Sequence, residues 1–431
     1  MPETVAGADR FEGRQTPGRL PLAGVRVLDL SDEAVALAAR LLADLGAEVI
    51  RAESASGDYL RRRGPFLGGR SDLERGLAHL LYNAGKQSLA LALELPESWE
   101  LLDRLLDHID AVIAPLEKTA LARRFFDAER LRAVHARACV VDIALRPGSS
   151  RGAATDLIGV AAGGLLYLNG FAEDPPNVPA GKLAYKQTSL AAALAAMSLL
   201  MRGRRTGQGG RITVSMQEAV TWTTMQTANE NYWHWHHARP KRTGAEGLGR
   251  SGSRSIFQCK DGLWVSFSIH PPYWNRFVDW TVEVTGDNEL RGVEWSEPRR
   301  RWERGDIIAA FTEQIASRLT RDEMLREGQK HGVLIGPVHG VAEIAHDQQL
   351  LARGLFREVS HPQFGRSLTM LQPPFFSSAY RVEMRAAPML GQHSREILRG
   401  RLELDDAEID ALVACRTVSE PSRPPASLGT A

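Results

Sequence analysis

The stretch with the most chemical content runs from Val178 to Ala219. A loop, Pro179 to Lys186, feeds an apolar helix from Thr188 to about Arg202. A turn, Arg204 to Gly210, and a strand, Arg211 to Ser215, follow. The start of a buried helix is a good place for a reactive anion, because its unpaired N–H groups and the helix dipole stabilise negative charge. A carboxylate is the group expected there. The loop offers Tyr185, Lys186 and Gln187 instead, and no Asp or Glu occurs between Asp174 and Glu218. The helix carries almost no polar side chain from Leu190 to Leu200, so it reads as a core helix packed on all sides. It is too short to cross a bilayer, which takes about 20 residues.

Other candidates are weaker. His234, His236 and His237 could ligate a metal, but their spacing spreads them around a helix, and an interface or surface cluster is the better reading. Cys139, Cys259 and Cys415 form no CxxC pair. They suggest neither a zinc site nor a disulfide framework, and a reduced cytoplasm is the simplest setting. Asp156 and Glu218 read as helix-cap and turn residues. Gly244 to Gly249 could be a mobile lid or a plain surface loop. No metal site is expected.

The elements that must position these residues fall into two patterns. Up to Leu145, short apolar strands alternate with helices. The strands are Val25–Leu30, Ala47–Ala52, Ser88–Leu93, Ala111–Ala114 and Cys139–Leu145; the helices are Ala34–Leu45, Leu73–Tyr82, Pro96–His108 and Ala128–His135. This alternation predicts a parallel sheet covered by helices on both faces, with right-handed crossovers. The first strand is followed by Ser31-Asp32-Glu33-Ala34, without glycine, so the dinucleotide fingerprint is absent and NAD is not expected. Beyond Ala219 the pattern changes. Ser255 to Ile269 reads as a hairpin turning at Asp261-Gly262. Helices are predicted around Pro272–Thr285 and Ile307–Lys330, an extended Pro-interrupted stretch at Leu355–Ser378, and a closing helix at Asp405–Val413. The fold class is therefore α/β, with a Rossmann-like large domain and a smaller α+β domain. The domain plan is a flexible tail (1–20), the large domain (21–220, completed by 385–418), the small domain (221–345), a return linker (346–384) and a second tail (419–431).

A net charge of +1 from 53 Lys+Arg against 52 Asp+Glu gives no electrostatic signal for nucleic acid or membrane binding.

The chain resembles the class III CoA-transferases, the family of formyl-CoA transferase, carnitine CoA-transferase and α-methylacyl-CoA racemase. The segments that carry the resemblance include GVRVLDLS (Gly24–Ser31), LLADLGAEVIRAE (Leu41–Glu53), GDYLR (Gly57–Arg61) and NAGKQSLAL (Asn83–Leu91). Others are RRTGQGGRITVSMQEA (Arg204–Ala219), HDQQLLARGLF (His346–Phe356) and APMLGQHSREIL (Ala387–Leu398). It runs from about Leu22 to Thr417. It implies an interlaced dimer of ring-like chains and transfer of CoA from an acyl-CoA to a carboxylic acid through an aspartyl-CoA thioester. A CoA thioester is then a substrate, with no permanently bound cofactor.

The departures from the family are chemical. The resemblance places the nucleophilic Asp at Tyr185, and neither Tyr185 nor the following Lys186 and Gln187 can carry CoA as a thioester. By the same resemblance Lys86 is a candidate contact to a CoA phosphate, and a solvated turn lysine is the equal alternative. Three ligand loops also differ, at Ala34-Val35-Ala36, Pro115 to Thr119 and Ala144 to Pro147. Branched Val35 and Thr119 stand where the family has glycine. Thr155 replaces the racemase histidine. The reading is a non-catalytic subunit of a heteromeric enzyme, with an Asp-bearing paralogue as partner. Family members with two dissimilar subunits exist, that for benzylsuccinate among them. The alternatives are a self-sufficient transferase with an unusual site, in which Tyr185 donates a hydrogen bond, and a CoA-independent binding protein.

Overall fold

The structure, a computed structural model, describes residues 19–116, 118–146, 155–225, 237, 242, 244, 255–269 and 271–421. The sequence segments predicted as tails lie mostly outside these residues, as do His234, His236 and all but Gly244 of the candidate lid.

The alternating first half builds one sheet. β1 (Arg26–Asp29), β2 (Glu48–Ser54), β3 (Gln87–Leu91), β4 (Ala111–Ile113), β5 (Cys139–Ala144) and β6 (Gly210–Ser215) are mutually parallel. A two-residue strand near the C-terminus, β12 (Val418–Ser419), pairs antiparallel with β3. The spatial order is β12-β3-β2-β1-β4-β5-β6. The chain thus builds outward from β1 in one direction, then returns to lay β4 on its other side.

Strand residues alternate between two cores, as the period of two requires. Leu28, Ile50, Leu89, Val112 and Val140 face one core with Leu102, Phe125, Ile397, Leu398 and Ile409. Val27, Val49, Ile113, Val141 and Ile143 face the other with Leu42, Ala192, Ala196 and Leu199. Helices therefore cover both faces, as the sequence predicts. On the first face lie α4 (Pro96–Leu105), α5 (Ala120–Phe125) and α6 (Ala128–Val134). On the second are α1 (Ala36–Asp44) and α9 (Leu183–Thr206). The short helices α2 (Tyr59–Arg62), α3 (Leu77–Tyr82), α7 (Asp156–Ala162) and α8 (Leu165–Leu168), then α10 (Met216–Met225), complete the first half.

α9 departs from its prediction twice. It is 24 residues long, beginning before Tyr185 and running through the expected Arg204-Arg205-Thr206 turn. Arg and Thr do not stop a helix by themselves, and the stop comes from Gly207 in the left-handed conformation at φ 69°. Nor is it covered all round. Ala184, Thr188, Ala192 and Ala196 are buried, whereas Leu190, Leu194 and Met201 are more than half exposed. Small residues let one side pack closely on the sheet; the opposite side carries larger apolar groups that the described residues do not cover.

Contacts divide the chain into two compact units: residues 1–165, 179–224 and 349–431, and residues 166–178 with 225–348. In the second unit β7 (Ile256–Gln258), β8 (Trp264–Ser268) and β9 (Leu334–Val338) form an antiparallel sheet. The hairpin turns where predicted, with Gly262 at φ 78° and the Asp261 carboxylate accepting from Leu263 N. The single helix predicted over Ile307–Lys330 is two, Gly305–Arg318 and Arg321–His331, because Thr320 and Glu323 form a capping box between them. The stretch read only as extended, Leu355–Ser378, holds a hairpin of β10 (Phe356–His361) and β11 (Arg366–Leu371) in the first unit.

Candidate functional site

In an open parallel sheet, ligands bind beyond the carboxyl ends of the strands where the strand order reverses. Here the reversal lies between β1 and β4. A cleft of about 240 Å³ opens there, lined by Leu30, Asp32, Glu33, Asp58, Tyr59 and Thr119 among others. Its apolar lining includes Leu30, Leu93, Trp99, Pro115 and Ala122.

The polar groups of the cleft are largely committed to holding loops. Asp32 accepts from Ala34 N at 3.1 Å and from Leu116 N at 2.9 Å, which ties the loop after β1 to the loop after β4. Thr119 caps α5, its hydroxyl accepting from Ala122 N at 3.1 Å. Val35 precedes α1 at φ −135°, an ordinary value for a branched residue. These two loops are thus built from residues suited to their own backbones.

Lys86 lies deeper. Its ammonium donates to Asp29 Oδ2 at 2.8 Å, Asn83 Oδ1 at 3.0 Å and Ala36 O at 3.2 Å. An ammonium has three donors, so in this conformation none is left for a phosphate. Burial lowers the Lys86 pKa from its ordinary value, against the pull of the Asp29 carboxylate. Asp29 moves down in spite of its own burial, because Lys86 and Arg51 are beside it. The pair belongs to a buried network. Arg51 also meets Asp58 at 2.6 Å, and Arg61 holds Glu53 and Glu74, each at 2.7 Å.

Tyr185 occupies the first turn of α9, half-buried. The residue before this helix, Lys182, is left-handed at φ 53°. Its ammonium pairs with Glu33 of the cleft and sits 5.7 Å from the centre of the Tyr185 ring. Glu33 also lies 3.4 Å from Arg63. Burial, and then the carboxylates of Glu33 and Asp32, push the Tyr185 hydroxyl up to about 12. The phenol is therefore neutral near pH 7 and is not an anionic nucleophile there. Glu33 lines the switch-point cleft and, through its ion pair with Lys182, ties the start of α9 to it.

A carboxylate does reach the start of α9, from elsewhere in the chain. Asp156, in the first turn of α7, accepts from Tyr185 N at 3.1 Å. This satisfies one of the unpaired N–H groups and the dipole. Nothing local in the sequence points to it, since the partners are 29 residues apart. The sequence offered Asp156 as a helix-cap residue without the helix end it serves, and it did not single out Glu33. Its place just after β1, at the point of strand reversal, is the signal that could have found it.

Among the described residues no cluster of three His, Cys, Asp or Glu side chains is arranged to hold a metal, and no helix is long and apolar enough to cross a membrane.

Residues 22–394 match the family model described as CoA-transferase family III. The chain is similar to a formyl-CoA:oxalate CoA-transferase of Streptomyces coelicolor, 26% identical over 91% of this chain and 97% of that one. It is also similar to the succinyl-CoA:(R)-benzylsuccinate CoA-transferase subunit BbsE of Thauera aromatica, 28% identical over 86% of this chain and 92% of that one. Among solved structures, a CAIB/BAIF family protein from Brucella suis has the same fold. Its TM-score is 0.76 at 24% identity, covering 90% of this chain and all of the other.

Proposed function

The chain belongs to CoA-transferase family III, and from that premise we propose that it is the non-catalytic subunit of a heteromeric transferase. Its partner is a paralogue that carries the nucleophilic Asp. The complex moves CoA from an acyl-CoA to a carboxylic acid, and the covalent intermediate forms on the partner. The observation that carries this reading is the start of α9. Tyr185 stands there with a neutral phenol, and the nearby carboxylate of Asp156 is spent on the Tyr185 amide. A carboxylate nucleophile must be free to attack a thioester carbonyl.

Two further features support it. The cleft binds its own loops through Asp32 and Thr119, and Lys86 is held inside the ion-pair network. The similarity to a protein named as a subunit fits a role in a heteromeric assembly, and the exposed stripe of Leu190, Leu194 and Met201 fits burial against a second chain. Three free cysteines, two of them buried, fit a reduced cytoplasm.

Co-expression tests the proposal. This chain with an Asp-bearing paralogue gives a soluble 1:1 complex with transferase turnover, and this chain alone gives none. Replacing the partner's Asp by Ala abolishes turnover, while Tyr185→Phe in this chain leaves it within about twofold. Turnover that survives loss of the partner's Asp and disappears with Tyr185→Phe would show that the chemistry resides in this chain.

A further inference from the structure

Glu33 stands between two cations. Its carboxylate pairs with Lys182 and lies 3.4 Å from Arg63 Nη1. The three residues come from separate places: the loop after β1, the N-terminal end of α9 and the C-terminal end of α2. The carboxylate is the inner member, 13% exposed against 36% for Lys182 and 46% for Arg63.

The cations are positioned by aromatic rings. Arg63 lies 5.3 Å from the centre of the Tyr59 ring and donates to its hydroxyl at 2.6 Å. Lys182 lies over Tyr185. Ring stacking fixes a cation without neutralising it, and among the described residues the ion pair that each makes is with Glu33. Two preorganised cations around one oxyanion are the makings of an anion site, and the anion in it is the chain's own. Ion pairs whose cations are this exposed add little to stability.

We propose that Lys182 and Arg63 form an oxyanion site at the edge of the switch-point cleft, and that Glu33 is its built-in occupant, excluding external carboxylates and phosphates. The inference rests on the proposed reading only for the source of the excluded anion, the acid or the acyl-CoA of the transfer reaction. Removing the Glu33 charge exposes the site. The external ligand then makes the charge-assisted hydrogen bonds that Glu33 makes now.

The test is titration calorimetry on the full chain, as the complex in which it purifies, with succinate as the carboxylate probe and CoA as the phosphate probe. Counting sites per complex separates this chain's site from any on the partner. Glu33→Gln, nearly isosteric, gains one site per chain relative to wild type, with affinity raised at least about tenfold. Glu33→Ala does the same. Adding Lys182→Met removes the gain. Asp32→Asn, which deletes a neighbouring charge and leaves the site occupied, gains nothing. A gain with succinate assigns the site to a carboxylate, and a gain with CoA alone assigns it to a phosphate. The proposal fails if both Glu33 variants melt like wild type and gain no site. It fails equally if the gain survives Lys182→Met, or if Asp32→Asn matches it. Binding is read without turnover, so wild-type chain found active on its own would overturn the subunit reading and leave this result standing.

Discussion

Two polar regions of this chain both draw on β1, β2 and the segments that follow them, and they do opposite things. The network of Asp29, Arg51, Glu53, Arg61 and Lys86 is almost completely buried, and each charge is matched. In the group around Glu33 the cations Lys182 and Arg63 are a third to a half exposed, and Glu33 itself lines the cleft. Buried charges must be paired or the desolvation cost is prohibitive; half-exposed ones are free to meet a ligand. A lysine such as Lys86 is assigned to one class or the other by burial and partners, and residue type alone does not decide.

The contrast breaks most visibly in stability. Arg61→Met leaves the carboxylates of Glu53 and Glu74 buried without their guanidinium. It should cost about 3–5 kcal/mol, read as a fall in the urea midpoint of the purified complex. Tyr185→Phe should leave that midpoint nearly unchanged. Equal shifts would mean that the start of α9 is part of the structural core after all.

A smaller effect sharpens the role of Asp156. Asp156→Ala removes the acceptor for Tyr185 N and should cost about 0.5–2 kcal/mol, as loss of a helix cap does. Asp156→Asn keeps an acceptor and should cost less. If Asp156→Ala leaves stability unchanged but stops turnover of the complex, Asp156 is chemical and not a cap.

The smallest effect is alkaline. The Tyr185 phenol is raised from 10.0 to about 12 in the folded chain. Between those values the unfolded tyrosine loses its proton before the folded one does. The unfolded state therefore binds fewer protons, and stability falls as pH rises through that window. Tyr185→Phe should flatten this fall in melting experiments at successive pH values. An unchanged slope would put the phenol in water.

Much of the sheet was legible because its strands are short apolar runs in strict alternation with helices. β1 through β5 appear within two residues of their predicted ends. α5 was not foreseen, since its six residues are too few to show a period. The extent of α9 was misjudged because its stop is Gly207, beyond an Arg-rich segment that resembles a turn. The site was legible only in part. That no Asp or Glu lies between Asp174 and Glu218 is a local fact of the sequence. The contacts that explain the site are not local: Glu33 with Lys182 is 149 residues apart, and Lys86 with Asp29 is 57. Asn83-Ala84-Gly85-Lys86 looks like an exposed turn, and only the bonds of Lys86 to Asp29 at the end of β1 and to Ala36 O at the start of α1 show that its lysine points inward.

The location of the covalent intermediate tests the central claim most directly. The complex is incubated with an acyl-CoA, trapped with hydroxylamine or borohydride, and both subunits are mapped by mass spectrometry. The account predicts modification of a single Asp on the partner and none on this chain. A CoA adduct, hydroxamate or reduced product on any residue of this chain from Pro179 to Gln187, or on Asp156, would contradict it.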